Sequence, residues 1–405
     1  MAVQTTKNER VLSGMRPTGA LHLGHYHGVL KNWLELQRSY DCFFFVADWH
    51  ALTTDYDNPG KIAEFTREMV IDWLAVGVLP SSAHIFVQSR VPEHAELQLL
   101  LAMFTPLSWL ERVPSYKDQQ EKLKEKDLAT YGFLGYPLLQ SADILLYKAG
   151  VVPVGDDQVA HVELTREVAR RFNHLYGNEP DFEGKAQKAV AKMGRKNAKL
   201  YRDLRRRYNE QGEADALEVA RALLNEQQNI SLGDKERLFG YLEGSGRIIL
   251  VEPKSLLTKQ SKLVGLDGQK MSKSYGNTIG LREAPEAVNK KIRTMPTDPA
   301  RVRRTDPGDP EKCPVWSFHQ VYSNDDTKQW VQEGCQSAGI GCLDCKQHII
   351  DSVEAELKPI RERAVEYVEN IRAVENIIDE GCEAAREVAR DTMDEVSKAM
   401  GLAIS

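Results

Sequence analysis

The sequence lacks several features that would assign it to a specialised class of protein. Its 405 residues contain no apolar run near the 18 or more residues that a membrane-spanning helix needs. The first ten residues, MAVQTTKNER, are polar and lack the apolar core of a signal peptide. Internal repeats and low-complexity segments are lacking too, and 42% of the residues are hydrophobic, as in average soluble proteins. We therefore expect a cytosolic, globular protein with no membrane partner, and two or three domains at roughly 150 residues each.

Cysteine is scarce along most of the chain. Of the six cysteines, only Cys42 lies in the first 312 residues, and Cys382 is interpreted as a core residue of a late helix. The other four lie close together in sequence: Cys313, Cys335, Cys342 and Cys345. In a reducing compartment such a group indicates a metal site rather than disulfides, and four thiolates suit zinc or a [4Fe–4S] cluster. A set of free buried cysteines is the remaining alternative.

The chain also lacks a strong net charge. Its 53 Lys and Arg against 59 Asp and Glu give −6, which by itself indicates no nucleic-acid partner. That sum hides two opposed blocks, because residues 185–207 hold ten Lys and Arg against one acid, whereas residues 346–405 hold eight against fourteen. The basic block predicts either an RNA contact or merely the solvated face of a helix. The RNA-contact candidates are Lys192, Arg195, Lys199, Arg205 and Arg206.

What the sequence does contain is an alternation of short apolar runs with helical patterns over its first 180 residues. The predicted strands are 10–14, 42–47, 84–88 and 151–154, and the predicted helices are 26–38, 62–76, 92–104, 138–147 and 158–176. The run CFFFVA at 42–47 is typical of a strand buried on both faces. Strands alternating with helices predict an α/β fold with a Rossmann-like, doubly wound parallel sheet.

The rest of the chain breaks this alternation. We predict that the sheet domain comprises residues 1–183 and 247–284, interrupted by a basic helical insertion over 184–246 that resembles a helical hairpin. An all-α C-terminal domain is predicted over 285–405. Within it, residues 349–400 form one long helical pattern, which we expect to break at Pro359 and Gly381 because these residue types interrupt helices.

A glycine-containing loop follows the first predicted strand and precedes the first predicted helix. It reads GMRPTGALHLGH and ends at His25. In a doubly wound sheet ligands bind at such a loop, since glycines allow a close backbone approach and a helix N-terminus attracts anions. His22 and His25 lie three residues apart, so both can point toward one site and donate to phosphate oxygens. A zinc site formed with His27 is the alternative, but no fourth ligand lies at local spacing.

A second polar loop, GLDGQKMSKS, carries two lysines and two serines between glycines. Alone it would be an ordinary solvated loop. The HLGH of residues 22–25 and the KMSKS of residues 270–274, in that order on an α/β chain, resemble the paired motifs of the class I aminoacyl-tRNA synthetases. The resemblance implies that the protein activates an amino acid with ATP and Mg²⁺ and transfers it to tRNA.

Two further segments narrow this resemblance. Residues 135–147 (GYPLLQSADILLY) and 152–158 (VPVGDDQ), followed by HVELTR at 161–166, are similar to the tryptophanyl-tRNA synthetases of the bacterial type. The related tyrosine enzymes usually have a different glycine pattern before the Asp-Gln pair. The resemblance covers most of residues 9–180 and 250–300, and more loosely the helical C-terminus.

The resemblance implies a pocket for the indole ring. Indole has a large apolar face and one N–H donor, so its pocket needs one buried acceptor and apolar walls. Asp143 matches the indole-binding aspartate of the family, and helical spacing places Gln140 on the same face.

Four more residues are assigned to the pocket by the same resemblance. Tyr136 and Gln158 match positions that hold the α-amino group of the substrate, and Val152 and Val154 would wall the indole. Without the resemblance, each would more simply be a core or structural residue.

The nucleotide site follows from the two motifs. The catalytic candidates are Thr18, His22, His25, Lys270 and Lys273, and further ATP-binding candidates are Arg16, Gly24, Asp157, Met271 and Ser272. The resemblance implies that the first three serve the α-phosphate, and that the two lysines serve the leaving pyrophosphate together with Mg²⁺. Asp157 is the candidate for the ribose, and Arg16 for the neighbourhood of the substrate carboxylate.

The resemblance also bears on the cysteines and on the partners. A subset of the family carries a [4Fe–4S] cluster on a similar C-terminal cysteine pattern, which favours the cluster over zinc. The implied partners are L-tryptophan, ATP, tRNA(Trp) and a second copy of the chain. Alternatives are a tyrosine-specific synthetase, a nucleotidyl-transfer enzyme that does not use tRNA, and a non-catalytic RNA-binding or regulatory paralogue.

Overall fold

The computed structural model describes residues 9–113, 130–244, 246–257 and 263–402, apart from the side chains of Asp157, Ala214 and Ser274. Five strands form one sheet in the order β3-β2-β1-β4-β5. Their bounds are β1 Arg10–Met15, β2 Asp41–Val46, β3 Ala83–Val87, β4 Val151–Val154 and β5 Lys254–Leu257. β2 and β3 run parallel, as do β1 and β4. This is the Rossmann strand order, and it confirms the predicted fold class.

Helices make up most of the remaining described chain. Their bounds are Leu23–His25, Lys31–Ser39, Asp48–Asp55, Ile62–Val76, Glu93–Ala102, Leu107–Glu111, Tyr131–Leu146, Val159–Tyr176, Phe182–Lys192, Gly194–Gln211, Ala214–Asn225, Leu232–Glu243, Pro285–Arg293, Pro314–Tyr322, Asp325–Gln336, Cys342–Glu369 and Ile371–Ala399. A π-helical turn, Tyr26–Leu30, joins the first two. Among these described helices, none is both long and apolar enough to cross a membrane.

The chain divides into two compact units. Unit one comprises Met1–Ser13, Gln88–Leu256 and Glu383–Ser405, and unit two comprises Gly14–Val87 and Leu257–Cys382. In unit two, the buried strand β2 packs its aromatic side chains into the core. Phe44 stacks on Trp33 with ring centres 4.1 Å apart, and Trp33 meets Trp73 edge-on at 5.0 Å. The burial of β2 agrees with its continuous apolar sequence.

The C-terminal helices differ from the prediction. The helical pattern breaks at Asn370, and both Pro359 and Gly381 lie inside helices. Asn370 ends one helix and its side-chain oxygen accepts a hydrogen bond from the backbone of Ala373 at 3.2 Å, which starts the next. The glycine has a packing reason, because a Cβ atom at Gly381 would lie 1.9 Å from the carbonyl oxygen of Ile85.

The insertion is also more elaborate than the predicted hairpin. It forms four helices, Phe182–Lys192, Gly194–Gln211, Ala214–Asn225 and Leu232–Glu243. The basic block that looked like one helix is divided at Gly194, whose φ of +77° interrupts the helix. The four helices share a hydrophobic core of their own, formed by Ala189, Val190, Met193, Ala198, Tyr201, Leu204, Ala216, Ala220, Leu223, Leu224, Ile230, Leu238 and Leu242.

Candidate active site

In unit two the HLGH and KMSKS segments contact each other. The Lys273 ammonium donates to the carbonyl oxygen of Thr18 at 3.1 Å, and the Gly24 amide donates to the Met271 sulfur at 3.3 Å. Gly19 is needed here, because its φ is +114° and a Cβ atom would lie 3.2 Å from the Lys273 nitrogen. The structure therefore brings together two sequence motifs that are separated by about 250 residues.

The two histidines of HLGH form a close pair. Their rings lie 3.8 Å apart, and the His22 amide donates to Nδ1 of His25 at 3.3 Å. Burial, and to a lesser extent the Lys273 charge, lower the pKa of His22 to about 4. Burial, followed by the charges of His22 and of the two lysines, lowers the pKa of His25 to about 3. Both imidazoles are therefore neutral near pH 7, and the proton of His25 is on Nε2. Nδ1 of His22 is buried without a hydrogen-bond partner among the described residues.

The lysine loop is organised by Asn277, which sequence reasoning missed. Its side-chain oxygen accepts from the Ser272 amide at 2.8 Å, and its amide nitrogen donates to Asp267 at 2.7 Å and to the carbonyl oxygen of Lys270 at 3.1 Å. A Cβ atom at Gly265 would collide with this amide at 2.2 Å. Lys270 itself is exposed. The Asn277 side chain therefore holds the backbone of the loop while the Lys270 side chain stays in solvent.

Asp72 is a second residue that the sequence did not reveal. This buried carboxylate accepts from the Leu21 amide at 3.0 Å, directly before HLGH, and lies 2.6 Å from Nε of Arg282. Burial raises the pKa of Asp72 to about 6, against the opposing effect of Arg282. Its charge also opposes the lowering of the pKa of Lys273 by burial. Asp72 therefore supports the first motif and acts electrostatically on the second.

Unit one contains the predicted indole acceptor. Asp143 is buried in the Tyr131–Leu146 helix, and its Oδ1 accepts from Gln88 at 2.7 Å and from Nδ1 of His94 at 2.6 Å. Nε2 of His94 lies 2.8 Å from the Tyr147 hydroxyl. All four side chains are at most 1% exposed. A buried carboxylate that is held in this way is positioned with little rotational freedom.

A second polar chain in unit one joins two predicted pocket residues. Tyr136 and Gln158 both contact His161: the Tyr136 hydroxyl lies 3.3 Å from its Nε2, and the Gln158 oxygen lies 2.6 Å from its Nδ1. Because the amide oxygen only accepts, Nδ1 of His161 donates to it and Nε2 accepts from the tyrosine. The Tyr136 oxygen then keeps lone pairs that suit a substrate ammonium group. Sequence analysis did not include His161 in the site.

The remaining predicted residues take less defined places. Val152 and Val154 are buried on β4, and Gln140 is half-buried on the Asp143 helix. Arg16 is exposed in the loop after β1. The side chain of Asp157 lies outside the described part of the structure.

The missed residues share a reason. Asp72, His94 and His161 are polar residues on buried faces of helices, where sequence patterns alone indicate core. The one usable signal was their residue type, because a buried charged or imidazole group requires a partner.

The four cysteines of unit two line one cavity, together with Thr297, Asp298, Arg301, Val315 and Ile340. Within the part of the chain that the structure describes, no group of three or more His, Cys, Asp or Glu has metal-binding geometry. Burial raises the pKa of the Cys345 thiol to about 12, and Nε2 of His319 lies 3.2 Å from this sulfur. The Arg301 guanidinium lies 3.7 Å from the Cys335 sulfur, and Lys346 is buried nearby on the same helix as Cys345.

The basic candidates of the insertion fall into two groups. Arg205 donates to the Tyr241 carbonyl at 2.8 Å and covers its ring, Lys192 pairs with Asp234 at 2.6 Å, and Arg206 pairs with Asp203 at 2.8 Å. These three have structural partners. Arg195 and Lys199, by contrast, are exposed on the Gly194–Gln211 helix and form no ion pair with any described residue.

Comparison with known proteins places the chain in a family. A family model for tRNA synthetases class I (W and Y) matches residues 4–193 and 195–358. The chain is 68% identical over 397 residues to a tryptophan–tRNA ligase of Ralstonia nicotianae, covering 98% of this chain and 99% of that protein. It is 44% identical over 395 residues to the tryptophan–tRNA ligase of Thermotoga maritima, covering 97% and 99%.

A solved structure extends the comparison to the fold. The chain resembles the tryptophanyl-tRNA synthetase of Campylobacter jejuni complexed with ADP and tryptophan, with a TM-score of 0.71 and 28% identity. The match covers 97% of this chain and 100% of that one.

Proposed function

The chain belongs to the bacterial tryptophan–tRNA ligases of the class I tRNA synthetases, and we propose that the residues described above carry out its two-step reaction. In the first step ATP activates L-tryptophan to tryptophanyl-adenylate, and in the second the tryptophanyl group passes to the 3′ end of tRNA(Trp). The observation that carries the nucleotide half of this proposal is the contact of the KMSKS segment with the glycine-containing loop, through Met271 to Gly24 of HLGH and through Lys273 to Thr18.

Activation needs positioning and charge stabilisation more than proton transfer. The tryptophan carboxylate is ionised near neutral pH, so it attacks the α-phosphorus without a general base. The bond from the α-phosphorus to the bridging oxygen breaks, and pyrophosphate leaves with the electron pair. Thr18, His22 and His25 would bind the α-phosphate side as neutral donors. The buried Nδ1 of His22 suits such a ligand in the neutral tautomer that carries its proton there.

The leaving pyrophosphate would be held by Lys270 and Lys273, with Mg²⁺ sharing its charge. The hydrogen bond from the Gly24 amide to Met271 supports this assignment, because it holds the lysine loop next to HLGH. Gly24, Ser272 and Arg16 are retained as nucleotide-site candidates, and Asp157 as the candidate for the ribose. Positive φ values at Gly268 and Gly276 suit a loop that closes over ATP and opens again.

Tryptophan would be held by the polar groups of unit one. Asp143 accepts the indole N–H, Gln140 reaches the ring edge, and Val152 and Val154 form the walls. Tyr136 and Gln158 hold the α-amino group, an assignment that the shared contact with His161 supports. One buried acceptor among apolar walls matches the chemistry of indole.

The four cysteines are proposed to bind a [4Fe–4S] cluster, with zinc as the alternative. Their shared cavity supports this, as do Arg301 and Lys346, whose charges suit an anionic centre. The cluster would cross-link the helical C-terminal segment. We expect anaerobically purified protein to be brown, with about four iron and four sulfide per chain. Colourless protein with stoichiometric zinc would contradict the cluster.

Further proposals concern the setting of the enzyme. We expect the basic insertion over 184–246 to contact tRNA, residues 285–405 to form the anticodon-binding domain, and the chain to act as a cytoplasmic homodimer. Gel filtration with light scattering tests the dimer, for which about 91 kDa is expected from twice 45.7 kDa.

The substrate assignment is tested by ATP–pyrophosphate exchange. We expect exchange with L-tryptophan, and at most about 1% of that rate with L-tyrosine at equal concentration, because the pocket is built around an N–H donor. Exchange that depends on tyrosine and not on tryptophan would overturn the pocket.

A further inference from the structure

Asp143 belongs to a buried hydrogen-bonded chain. The chain runs from the Tyr147 hydroxyl to Nε2 of His94 at 2.8 Å, and from Nδ1 of His94 to Oδ1 of Asp143 at 2.6 Å. Gln88 donates to the same oxygen at 2.7 Å. His94 lies on the Glu93–Ala102 helix, whereas Asp143 and Tyr147 lie on and directly after the Tyr131–Leu146 helix.

The protons of this chain have a defined arrangement. A carboxylate only accepts, so Nδ1 of His94 and the amide nitrogen of Gln88 must both donate to Asp143. The contact of Nε2 with the Tyr147 hydroxyl fixes the ring of His94 from its other side. Two donors on a single oxygen then set the rotation of the carboxylate about its own bond.

This arrangement costs desolvation free energy, because all of these side chains are buried. A carboxylate away from water loses its hydration and stays ionised only if donors replace it. A positioned, ionised acceptor is also what recognition of one neutral N–H group requires. The partners of Asp143 thus serve the same purpose that the proposed function assigns to Asp143.

We propose that His94 is a positioning residue for tryptophan specificity: it orients the Asp143 carboxylate toward the indole N–H, with Gln88 as a further donor. The inference rests on the proposed role of Asp143. It adds that the preference for a ring with an N–H over a ring without one depends on His94, which itself does not contact the substrate.

The test uses two amino acids that differ at one position of the ring. L-tryptophan has an indole N–H, and 3-(benzothiophen-3-yl)-L-alanine has sulfur in its place. The ratio of their kcat/KM values in ATP–pyrophosphate exchange measures recognition of the N–H. For the wild-type enzyme we expect a ratio of roughly 10³ or more, because a site built around a hydrogen bond strongly rejects an analogue that lacks it.

The central variant is His94→Leu, which removes the donor. We expect its ratio to fall at least about tenfold, through a loss of kcat/KM for tryptophan with little change for the sulfur analogue. His94→Gln, whose amide can still donate, should retain most of the wild-type ratio. Tyr147→Phe is the matched control at the far end of the chain and should lower the ratio only about two- to fivefold.

The outcomes separate this inference from the proposed function. If the wild-type ratio is near one, or if Asp143→Leu, which removes the acceptor, keeps the wild-type ratio, the role of Asp143 is wrong. If the wild-type ratio is high and Asp143→Leu brings it close to one, but His94→Leu preserves it within about twofold, the role of Asp143 stands and that of His94 is overturned. Should His94→Leu fail to fold, His94→Phe, which keeps a ring but removes the donor to Asp143, is measured in its place, and a ratio within about twofold of the wild-type value there contradicts the positioning role.

Discussion

The two groups of candidate site residues are held in different ways. In unit one Asp143, the proposed indole acceptor, is fixed by buried side chains, with Gln88 and His94 both within 2.7 Å of it. In unit two the nucleotide loops are held mainly through the backbone, as in the bond from Lys273 to the Thr18 carbonyl, and Lys270 is left exposed. An acceptor for one neutral N–H must be rigid, whereas lysines that accompany a leaving pyrophosphate must move with it.

Removing the rigid acceptor should have the largest effect on the first of these groups. For Asp143→Leu we expect kcat/KM for tryptophan to fall by roughly 10³ to 10⁴, because the indole N–H then enters an apolar pocket without a partner. The KM for ATP should stay within about twofold. ATP–pyrophosphate exchange measures both values. If the KM for ATP rose by as much as kcat/KM for tryptophan fell, the residues of unit one and those of the nucleotide loops would not act separately.

Removing a mobile lysine should affect the other group. For Lys273→Ala we expect kcat to fall by roughly 10² to 10³, because positive charge on the leaving pyrophosphate acts mainly in the transition state. The KM for tryptophan should change little. Single-turnover adenylate formation in quench-flow measures this loss, and Lys254→Ala, an exposed lysine of unit one, is the control. A tryptophan KM that rises as much as kcat falls would contradict the assignment.

A smaller effect is expected when the buried carboxylate of Asp72 is replaced. Asp72→Asn keeps an acceptor for the Leu21 amide and removes the negative charge that faces Arg282 and influences Lys273. We expect the KM for ATP to rise about three- to tenfold, with the KM for tryptophan unchanged. Exchange kinetics against ATP concentration check this. An Asp72→Asn enzyme with a wild-type KM for ATP would limit Asp72 to a structural role.

The same residue gives a pH dependence with a defined sign. The pKa of Asp72 in the folded protein is raised to about 6 from an ordinary value of 3.8, so the folded state binds more protons than the unfolded state between those values. Its contribution therefore favours folding below about pH 4 and is lost as the pH rises through 6. Urea unfolding of wild type and Asp72→Asn at pH 4.5 and 7.5 should show the variant gaining on the order of 2 kcal/mol relative to wild type at the higher pH. A constant difference between the two proteins would contradict the raised pKa.

The smallest effect is expected in the insertion. Arg195 and Lys199 lack ion-pair partners among the described residues, so the double variant Arg195→Ala/Lys199→Ala should raise the KM for tRNA about three- to tenfold. The slope of log affinity for tRNA against log salt concentration should fall by about one to two, because one or two fewer charges contact phosphates. Pyrophosphate exchange needs no tRNA and should not change. Arg206→Ala is the matched control, because its charge already pairs with Asp203. If the wild-type enzyme, the double variant and Arg206→Ala had equal KM values for tRNA, the basic block would be only the solvated face of a helix.

Sequence reasoning recovered what is local and missed what depends on distant contacts. The helix Ile62–Val76 and the strand Val151–Val154 were predicted to the residue, because apolar periodicity and flanking turns define them. The break at Asn370 was missed, since Pro359 and Gly381 are tolerated inside helices that tertiary packing stabilises. Apolar periodicity cannot predict that His94, 49 residues before Asp143 in the chain, is its hydrogen-bond partner, because only the fold brings the two together.

The candidate site followed the same division. HLGH, KMSKS and the Asp143 segment were found because their residue types and order resemble one family. Asp72 and His94 were missed because each acts through a partner that lies far away in sequence, 51 residues for the bond from Leu21 to Asp72 and 49 for that from His94 to Asp143. Asn277 was missed because its partners, although only 5 to 10 residues away, are backbone groups and one carboxylate of an irregular loop. Such residues become visible only when the fold pairs them.

Binding of L-tryptophan without nucleotide tests the division of labour most directly. Isothermal titration calorimetry would compare the wild-type enzyme with Asp143→Leu and Lys273→Ala. We expect Lys273→Ala to bind tryptophan with the wild-type Kd, and Asp143→Leu to lose binding by at least about a hundredfold. Wild-type binding by Asp143→Leu, or an equal loss in both variants, would contradict the account.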